Sequence, residues 1–482
     1  MSTENLFNKR VYGCAIIKSI NANYNADFTK QPRTLPNGIV YATDKALKYT
    51  SRHFLYKNYA HNLDSNSNSN NKILYYTRYK TLNEKGQFVP MSLREIYEYL
   101  FGEMEKVTKE NKNPKWMIYY FDGEKIIGKL QKIKPADIKK YYEGLDDKPE
   151  YADLLEKIAK EANDKLKIED SGMIKDIEMN IEEPYFFYVK KNDNKNKAEK
   201  INLDEELLNE ELLESIINDL DLQFFGGYNK LKILYNLLNC LDVRLFGATF
   251  TGDTNVSIHG PVQINHAQDR FFYQGAIQNL SYTEQIKSPV RNDKAKGGDA
   301  EMTTIGSDSR TMEAHYVHNF SINPKNLSDH LKIANQLSNS EEKDKYPELS
   351  GLSIDDINKL KESLRCGATF YDSTSKAGVE NEMLLWVELI DGSKQVIPNF
   401  TELISITRDD EGKVEINLKK VQNLLQQSHI DSQIEKVSVY FNKTYANIIL
   451  GDKTISEYEK YNNKWNFEPI ELNESEKTNK NE

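Results

Sequence analysis

Three basic side chains near the N-terminus share one face of a predicted helix. Thr43 is a plausible N-cap, so the sequence predicts a helix over residues 44–59. Lys45, Lys48 and Arg52 are spaced by three and four residues, which places them on the same side of that helix. Such a row of cations is typical of a surface that binds a polyanion or, alternatively, of an ordinary solvated face.

A second polar set follows a Gly-Pro turn in the middle of the chain. Gln263 and Asn265 lie in a predicted short strand, and Arg270 follows five residues later. Their amide and guanidinium groups are suited to phosphates or to the edges of bases. An ordinary turn remains the alternative interpretation.

Two further segments carry isolated cations beside small polar residues. Arg310 ends the Gly/Ser segment TTIGSDSR, and backbone N–H groups in such a segment can bind a phosphate that the guanidinium clamps. Ser375 and Lys376 lie in a polar turn before an apolar strand. Arg244, within the run DVRLFG, is placed either to end a helix or to bind a carboxylate.

Motifs for catalysis and metal binding are scarce. In the run HYVH, His315 and His318 are three apart in a predicted strand, so we expect them to face opposite sides of the sheet rather than share a metal. No nucleophile–base–acid set stands out, and we expect neither a metal nor a cofactor. Asp27 is the one acid in the long loop after the first strand, where it could serve metal-assisted RNA cleavage or act as an ordinary loop residue.

Composition excludes several classes of protein. The chain has 482 residues and a net charge of −10, but residues 1–90 carry 13 Lys and Arg against 5 Asp and Glu. This basic block on an acidic protein is the electrostatic footprint of a polyanion binder. No apolar run of ~18 residues is present and the N-terminus does not resemble a signal peptide. Three widely separated cysteines fit the reducing cytoplasm, where we expect the protein.

The order of predicted elements indicates an α+β fold. Alternating Tyr12, Cys14 and Ile16 predict a first strand from Arg10 to Ser19. The other predicted helices lie at 92–107, 136–168, 203–220, 230–241 and within 325–364. The other predicted strands lie at 115–130 (a hairpin), 184–190, 244–250, 262–265, 314–320, 368–371, 383–389 and 437–449. Irregularly interleaved helices and strands, with a strand-rich second half, favour α+β over a doubly wound sheet.

Five blocks in this order resemble the CRISPR-associated Cas-seven (Cas7) family, a RAMP-superfamily backbone subunit of type I Cascade complexes. The first block is the strand, the Asn-rich loop and a T-D-x-x-x-K helix, in which Thr43, Asp44 and Lys48 stand. The later blocks resemble the type I-B branch. They are DVRLFGATF at 242–250, SIHGPVQINHAQDR at 257–270, IGSDSR…HYVHNF within 305–320 and DSTSKAGVENEMLLWVEL at 372–389.

The resemblance implies a division of the chain into parts. A modified RRM-like (ferredoxin-like) palm is expected from residues 1–79, 236–266 and 313–460. An acidic, mainly helical insertion that corresponds to the fingers is expected at 80–235, a β-hairpin thumb at 267–312, and a polar tail at 461–482. The usual RRM stacking aromatics are absent, which fits a palm that grips the RNA backbone.

The resemblance also implies partners. Members of the family assemble side by side along a guide RNA, together with other Cascade subunits, and present the RNA for pairing with target DNA in antiviral defence. We therefore expect contacts with guide RNA, with neighbouring copies and, through the guide, with target DNA, and none with a membrane. The expected RNA-binding residues are Lys18, Asn21, Lys45, Lys48, Arg52, Gln263, Asn265, Arg270, Met302, Arg310, Ser375 and Lys376. Met302 or Ile305 is the expected apolar wedge of the thumb.

Two other functions stay open from the sequence. One is a metal-dependent endoribonuclease like the backbone subunits of type III complexes, with Asp27 as the catalytic acid. The other is a cytosolic α+β interaction protein whose basic patch is coincidental. The expected function is a non-catalytic guide-RNA scaffold.

Overall fold

The structure is a computed structural model that divides the chain into two units. It describes residues 6–60, 71–75, 79–83, 85–109, 116–122, 125–131, 185–191, 198–201, 224–251, 254–273, 276–277, 281–288, 304–340, 342–451 and 455–472. The first unit comprises Met1–Glu103 and Lys230–Glu482, and the second comprises Met104–Asn229. Every residue that the sequence singles out for binding belongs to the first unit.

The N-terminal part of the first unit begins with a long strand and a helix. Its elements are β1 (Val11–Ala22), β2 (Tyr41–Ala42), α1 (Asp44–Leu55), a π-helical turn (Tyr56–Ala60), β3 (Lys80–Leu82), β4 (Phe88–Pro90) and α2 (Leu93–Phe101). The predicted first strand and first helix are confirmed, with β1 ending three residues later than expected. Helix α2 is shorter than predicted, because its capping box at Ser92 fixes the start and Gly102, with φ of 84°, ends it.

The second unit contains a four-stranded sheet and a separate two-stranded pairing. Its elements are β5 (Lys106–Lys109), β6 (Trp116–Asp122), β7 (Lys125–Gln131), β8 (Tyr185–Lys191), β9 (Ala198–Ile201) and β10 (Phe224–Tyr228). The sheet has the order β7-β6-β8-β9, which confirms the predicted hairpin and the predicted strand after it. The predicted helices at 136–168 and 203–220 lie outside the described residues.

The rest of the first unit supplies most of its strands. It runs α3 (Lys230–Leu238), α4 (Leu241–Phe246), β11 (Gly247–Phe250), β12 (Val256–His259), β13 (Val262–Ile264), β14 (Ala267–Asp269), β15 (Phe272–Tyr273), β16 (Ala276–Ile277), β17 (Ser281–Ser288) and β18 (Thr304–Ile322). A 3₁₀ turn (Pro324–Leu327), α5 (Ser328–Ala334), α6 (Ile354–Phe370), β19 (Val379–Leu389) and a 3₁₀ turn (Thr401–Leu403) follow. The chain continues with β20 (Ser405–Arg408), β21 (Val414–Asn417), α7 (Lys419–Leu425), α8 (Ser428–Asp431), β22 (Ile434–Phe441), β23 (Ala446–Ile449), α9 (Ile455–Tyr461) and β24 (Trp465–Pro469).

A mainly antiparallel sheet in the order β2-β14-β18-β1-β19-β22-β24 forms the centre of this unit. Ile16 of β1 lies opposite both Val317 and Met383, so these three side chains point to one face. That face packs against the apolar side chains of β20, β21 and α7 in a large buried cluster. On the other face, α6 packs on β19 and against α1. The site residues therefore stand on a well-packed α+β layer structure.

One predicted strand is wrong, and another begins three residues later than expected. Residues 368–371 end helix α6, because Leu364 and Ala368 continue its buried face and the side chain of Asn381 accepts the N–H groups of Ala368 and Thr369. Residues 244–246 belong to α4, and only Gly247–Phe250 forms a strand. Residues 368–371 include Thr, Phe and Tyr, and tertiary contacts override their preference for a strand.

The DVRLFG motif fixes the helices beneath the sheet. Arg244 binds the carboxylate of Asp356 with bonds of 2.8 and 3.2 Å, and both side chains are buried. The carboxylate of Asp242 is fully buried and accepts the N–H groups of Leu74 and Tyr75 at 2.9 and 3.0 Å. The prediction that Arg244 binds a carboxylate is confirmed. The charged residues of the motif stabilise the packing of the first unit.

Gly247 and Gly260 occur in these motifs because their backbones touch. Gly247 has φ of 78°, and a Cβ placed on Gly260 would lie 2.2 Å from the backbone nitrogen of Gly247. Only glycine at both positions allows this approach. No helix in the described part of the chain is long and apolar enough to span a bilayer.

Candidate functional site

Arg310 and Lys376 meet at the end of β1, where Asn21 has an unusual φ of 48°. The guanidinium of Arg310 donates to the carbonyl of Asn21 at 2.9 Å and to the carboxylate of Asp308 at 2.8 Å. We call the predicted residues Asn21, Arg310, Ser375 and Lys376 the β1-end cluster. Asn21 and Ser375 are exposed, so the cluster is open to solvent.

Lys376 is the most unusual cation of the β1-end cluster. Its ammonium donates to the carbonyl oxygen of Asn23 at 3.1 Å and to that of Tyr24, and it lies 5.6 Å from the ring centroid of Tyr24. Burial lowers the pKa of Lys376 to about 8. Within the described residues its side chain forms no ion pair with a carboxylate, and its charge is stabilised by the carbonyls of Asn23 and Tyr24 and by the Tyr24 ring.

The turn that carries Ser375 and Lys376 reaches β1 through a glycine. Gly378 has φ of 101°, and a Cβ there would lie 2.3 Å from the carbonyl oxygen of Ile20. The carbonyl of Gly378 accepts the N–H of Ile20 at 2.9 Å, and that of Ser375 accepts the N–H of Asn23 at 2.8 Å. The turn is therefore fixed in place without a ligand.

A second group of predicted residues lines a cleft of about 600 Å³, called here the amide cleft. Its walls are Asp44, Lys48, Gln263, Ile264, Asn265, His266, Gln268, Asn399, Thr401 and Glu402. Lys48 pairs with Asp44 at 2.9 Å, and Gln263 donates to the carbonyl of Gly260 at 2.7 Å. Asn265 is exposed, so its amide group faces solvent. A cleft lined by amides, one lysine and the carboxylates of Asp44 and Glu402 suits the edges of nucleobases better than phosphates.

His318 lies buried between the amide cleft and the β1-end cluster. Its Nδ1 lies 3.1 Å from the carbonyl oxygen of Asn265, and its Nε2 lies 3.1 Å from the hydroxyl of Tyr24. Burial lowers the pKa of His318 to about 4, so the ring is neutral at pH 7 and Nδ1 donates to the carbonyl. Tyr24 also accepts from Lys376 through its carbonyl, which links the two groups of predicted residues.

His315 occupies the opposite face of β18, as the spacing in HYVH predicts. Its Nδ1 lies 2.5 Å from Glu382 and its Nε2 lies 3.0 Å from Glu313. Glu382 is the extra residue of a bulge in β19, since Ile16 pairs with Met383 and Ile17 with Asn381. Burial alone would lower the pKa of His315, but the two carboxylates outweigh it and raise the pKa to about 9.

Three further predicted cations are also held by internal partners. Arg52 binds the buried carboxylate of Asp242 at 3.1 Å. Arg270 donates to the carbonyl of Ile404 at 3.0 Å and to Glu402 at 3.2 Å. Lys18 pairs with Glu380 at 2.8 Å and lies near the ring of Tyr445. Their side chains are 16%, 12% and 13% exposed, so only a small part of each is open to a ligand.

The remaining predicted residues are not gathered with these groups. Lys45 is exposed on α1, on the same helix as Lys48. Met302 lies outside the described residues, and Ile305 belongs to the β17–β18 hairpin, in which Lys287 pairs with Ile305. That hairpin lies within the segment that the resemblance assigns to the thumb.

Asp27 is placed in a tight turn. One of its carboxylate oxygens accepts the N–H and the hydroxyl of Thr29 and the N–H of Gln31, at 2.7 to 2.9 Å. These bonds, led by the Thr29 hydroxyl, lower the pKa of Asp27. Within the described residues, no group of three or more His, Cys, Asp or Glu side chains is arranged to hold a metal ion.

The sequence missed several residues that build the amide cleft. His266 stacks on Tyr41 with ring centroids 6.2 Å apart, and it lies 3.5 Å from the carboxylate of Asp44. Asn399 and Glu402 reach the cleft from a segment about 130 residues further along the chain. Their neighbouring sequence is that of an ordinary loop, and only the pairing of the strands brings them to the cleft.

Comparisons with known proteins give one family. The family described as CRISPR-associated protein Cas7 matches residues 167–427, which is more than half of the chain. The match begins inside the acidic stretch and leaves out the N-terminal block at 11–54. No protein with a curated description matches the sequence.

Two solved structures are similar at low sequence identity. A chain described as "CRISPR RNA-guided surveillance complex, pre-nicking" is 12% identical with a TM-score of 0.36, over 92% of this chain and 96% of that chain. A chain described as "CRISPR RNA-guided surveillance complex" is 9% identical with a TM-score of 0.28, over 91% of this chain and 95% of that chain.

Proposed function

The chain belongs to the CRISPR-associated Cas7 family, and from this premise we propose that it is a guide-RNA-binding backbone subunit of a CRISPR interference complex. Membership of the family is the observation that carries the proposal. The ordered motif blocks in the sequence favour the type I-B branch, so the complex is a type I-B Cascade. We place the protein in the cytoplasm, where its cysteines stay reduced.

In this function, copies of the chain lie side by side along one guide RNA. The guide then pairs with target DNA, so base pairing reads the sequence and the protein holds the backbone. The other Cascade subunits complete the complex. The central sheet of the first unit serves as the palm, which we take to be a modified RRM-like fold, and the β17–β18 hairpin serves as the thumb.

The geometry of the β1-end cluster and the amide cleft supports this assignment. Arg310 and Lys376 are fixed by backbone carbonyls before any ligand binds, so a phosphate that reaches them meets cations that are already ordered. Lys48 and the exposed Asn265 line the amide cleft, and Tyr24 links the two groups through His318. RNA laid across both groups would contact phosphate-binding cations at one end and amides at the other.

Salt-titrated binding tests the proposal directly. Labelled single-stranded guide RNA is titrated with the full chain at several salt concentrations. The observed association constant is then plotted against the salt concentration on logarithmic axes. Lys45→Glu should weaken binding and flatten the salt dependence, whereas Lys420→Glu, an equal change at an exposed residue of α7, should leave both unchanged. Equal effects of the two variants, or no binding by the parent protein, would contradict the proposal.

We further propose that the subunit is a scaffold without nuclease activity. Asp27 is committed to its own turn through the oxygen that accepts from Thr29 and Gln31. Target RNA paired to the guide is incubated with Mg²⁺ and either the parent protein or Asp27→Ala. Intact RNA with both proteins is the expected result, and cleavage by the parent alone would establish the endoribonuclease instead.

A further inference from the structure

We propose that Phe28 and Arg33, on the loop after β1, form a stacking platform for an unstacked base of single-stranded RNA. This inference rests on the proposed function and adds a contact to bases at two loop residues that are not among the expected RNA-binding residues. The side chain of Phe28 is 100% exposed, whereas the phenylalanines of the central sheet are buried. A fully exposed Phe gives up the roughly 1.5–3 kcal/mol that its burial would contribute.

Hydrogen bonds within the loop fix the backbone that carries this ring. The carboxylate of Asp27 accepts the N–H groups of Thr29 and Gln31 at 2.8 and 2.9 Å, and the N–H of Asp27 donates to the carbonyl of Gln31 at 2.7 Å. Ala26 and Pro32 form a β-bridge across the base of the turn. Phe28 is therefore presented at the tip of a turn that is already closed, and stacking would order little new backbone.

A guanidinium lies beside the ring. The central carbon of the Arg33 guanidinium is 5.8 Å from the centroid of Phe28. Hydrogen bonds from Thr29 and Gln31 and, to a smaller extent, the charge of Arg33 lower the pKa of Asp27, so Arg33 also lies near that carboxylate. The exposed Lys30 is in the same turn. Aromatic rings and Arg planes are the groups on which proteins stack unpaired RNA bases.

The platform is joined to the β1-end cluster. The side-chain amide of Asn23 donates to the carbonyl of Lys30 at 3.1 Å, and the backbone carbonyl of Asn23 accepts from Lys376 at 3.1 Å. A nucleotide could thus place its base on Phe28 while a nearby phosphate approaches Lys376. The cations Lys30 and Arg33 around the ring favour RNA over an apolar protein surface as the occupant.

The test compares full-length variants at Phe28 on a short single-stranded RNA that admits one copy. Phe28→Ala and Phe28→Leu should each bind about 5- to 100-fold more weakly than the parent, since neither offers a π face. Phe28→Trp should bind at least as well as the parent. The salt dependence should stay unchanged in all three, because no phosphate contact is lost. Thermal melting should match the parent, because the ring is exposed.

A spectroscopic readout accompanies the affinities. The emission that the added indole of Phe28→Trp contributes, taken as the difference from the parent, should be quenched by this RNA and not by the same RNA with abasic sites. Parent-like binding by Phe28→Ala would overturn the platform. The platform would also be overturned if Phe28→Ala bound the short RNA like the parent but failed to assemble on long RNA. That result would assign Phe28 to contact with a neighbouring copy. Absence of RNA binding by the parent would refute the proposed function itself, and is distinguishable from both.

Discussion

The ammonium of Lys376 donates a hydrogen bond of 3.1 Å to the carbonyl oxygen of Asn23, which ties the turn after α6 to the loop after β1. These two segments are about 350 residues apart in the sequence. The bond orders a cation at the surface where we place the RNA backbone. Two predictions follow from its position.

Neutralising Lys376 should reduce the number of phosphates that the protein neutralises. For Lys376→Met we expect weaker RNA binding and a salt slope that is shallower by about 0.7, the contribution of one contact on single-stranded nucleic acid. Lys420→Met is the matched control at an exposed position of α7. The measurement is a binding isotherm at four or more salt concentrations, and an unchanged slope for Lys376→Met would exclude a phosphate contact.

RNA affinity should depend on pH through the same ammonium. Burial lowers the pKa of Lys376 to about 8 in the free protein, and a bound phosphate stabilises the charged form. Binding therefore takes up a proton at alkaline pH, and the affinity should fall as pH rises through about 8 and beyond. Lys376→Met should flatten this part of the profile. A parent profile that stays flat between pH 7 and 9 would contradict the contact.

Arg244 is expected to be essential for stability rather than for binding. It is buried against Asp356, so Arg244→Met leaves that carboxylate buried without its ion-pair partner and should lower the free energy of unfolding by about 3–5 kcal/mol. Urea unfolding measures this change. Combining Arg244→Met with Asp356→Leu removes the unpaired carboxylate and should recover part of the lost free energy of unfolding. If Arg244→Met were as stable as the parent, the ion pair between Arg244 and Asp356 would have to be exposed to solvent.

His315 should make the protein less stable at alkaline pH. Glu382 and Glu313 raise its folded-state pKa to about 9 against the opposing effect of burial, above its unfolded value of ~6.5. The stabilisation is complete below the unfolded pKa and is lost as pH rises through the folded value. The difference in unfolding free energy between the parent and His315→Gln should shrink between pH 6.5 and 10. A difference independent of pH would mean that His315 is neutral.

Local pattern in the sequence is enough to predict several elements of the first unit. The start of helix α1 is predicted at Thr43, although the Thr43 hydroxyl donates to Asn25 and does not cap the helix. The opposite orientations of His315 and His318 follow from strand periodicity. The turn with Ser375 and Lys376 was also identified from its residues. In each case the deciding interaction is local, or the periodicity of the element fixes it.

The sequence alone does not show which side chains from distant segments form hydrogen bonds and ion pairs with a given residue. Arg52 has the same spacing as Lys45 and Lys48, yet it is bound to Asp242, 190 residues away. Asn381 ends helix α6 where the residue types suggested a strand. Phe28 has no pattern that marks it as exposed, because its exposure depends on how the Asp27 turn closes. Such facts depend on tertiary packing.

The central claim is that copies of this chain assemble along a guide RNA. The most direct measurement is to express the chain with and without a cognate guide RNA, purify both samples at moderate salt, and record the 260/280 nm absorbance ratio and the mass in solution. We predict co-purified RNA and a large mass that collapses on ribonuclease treatment. A monomer free of nucleic acid from both expressions, which also fails to bind synthetic RNA in a salt titration, would contradict the account.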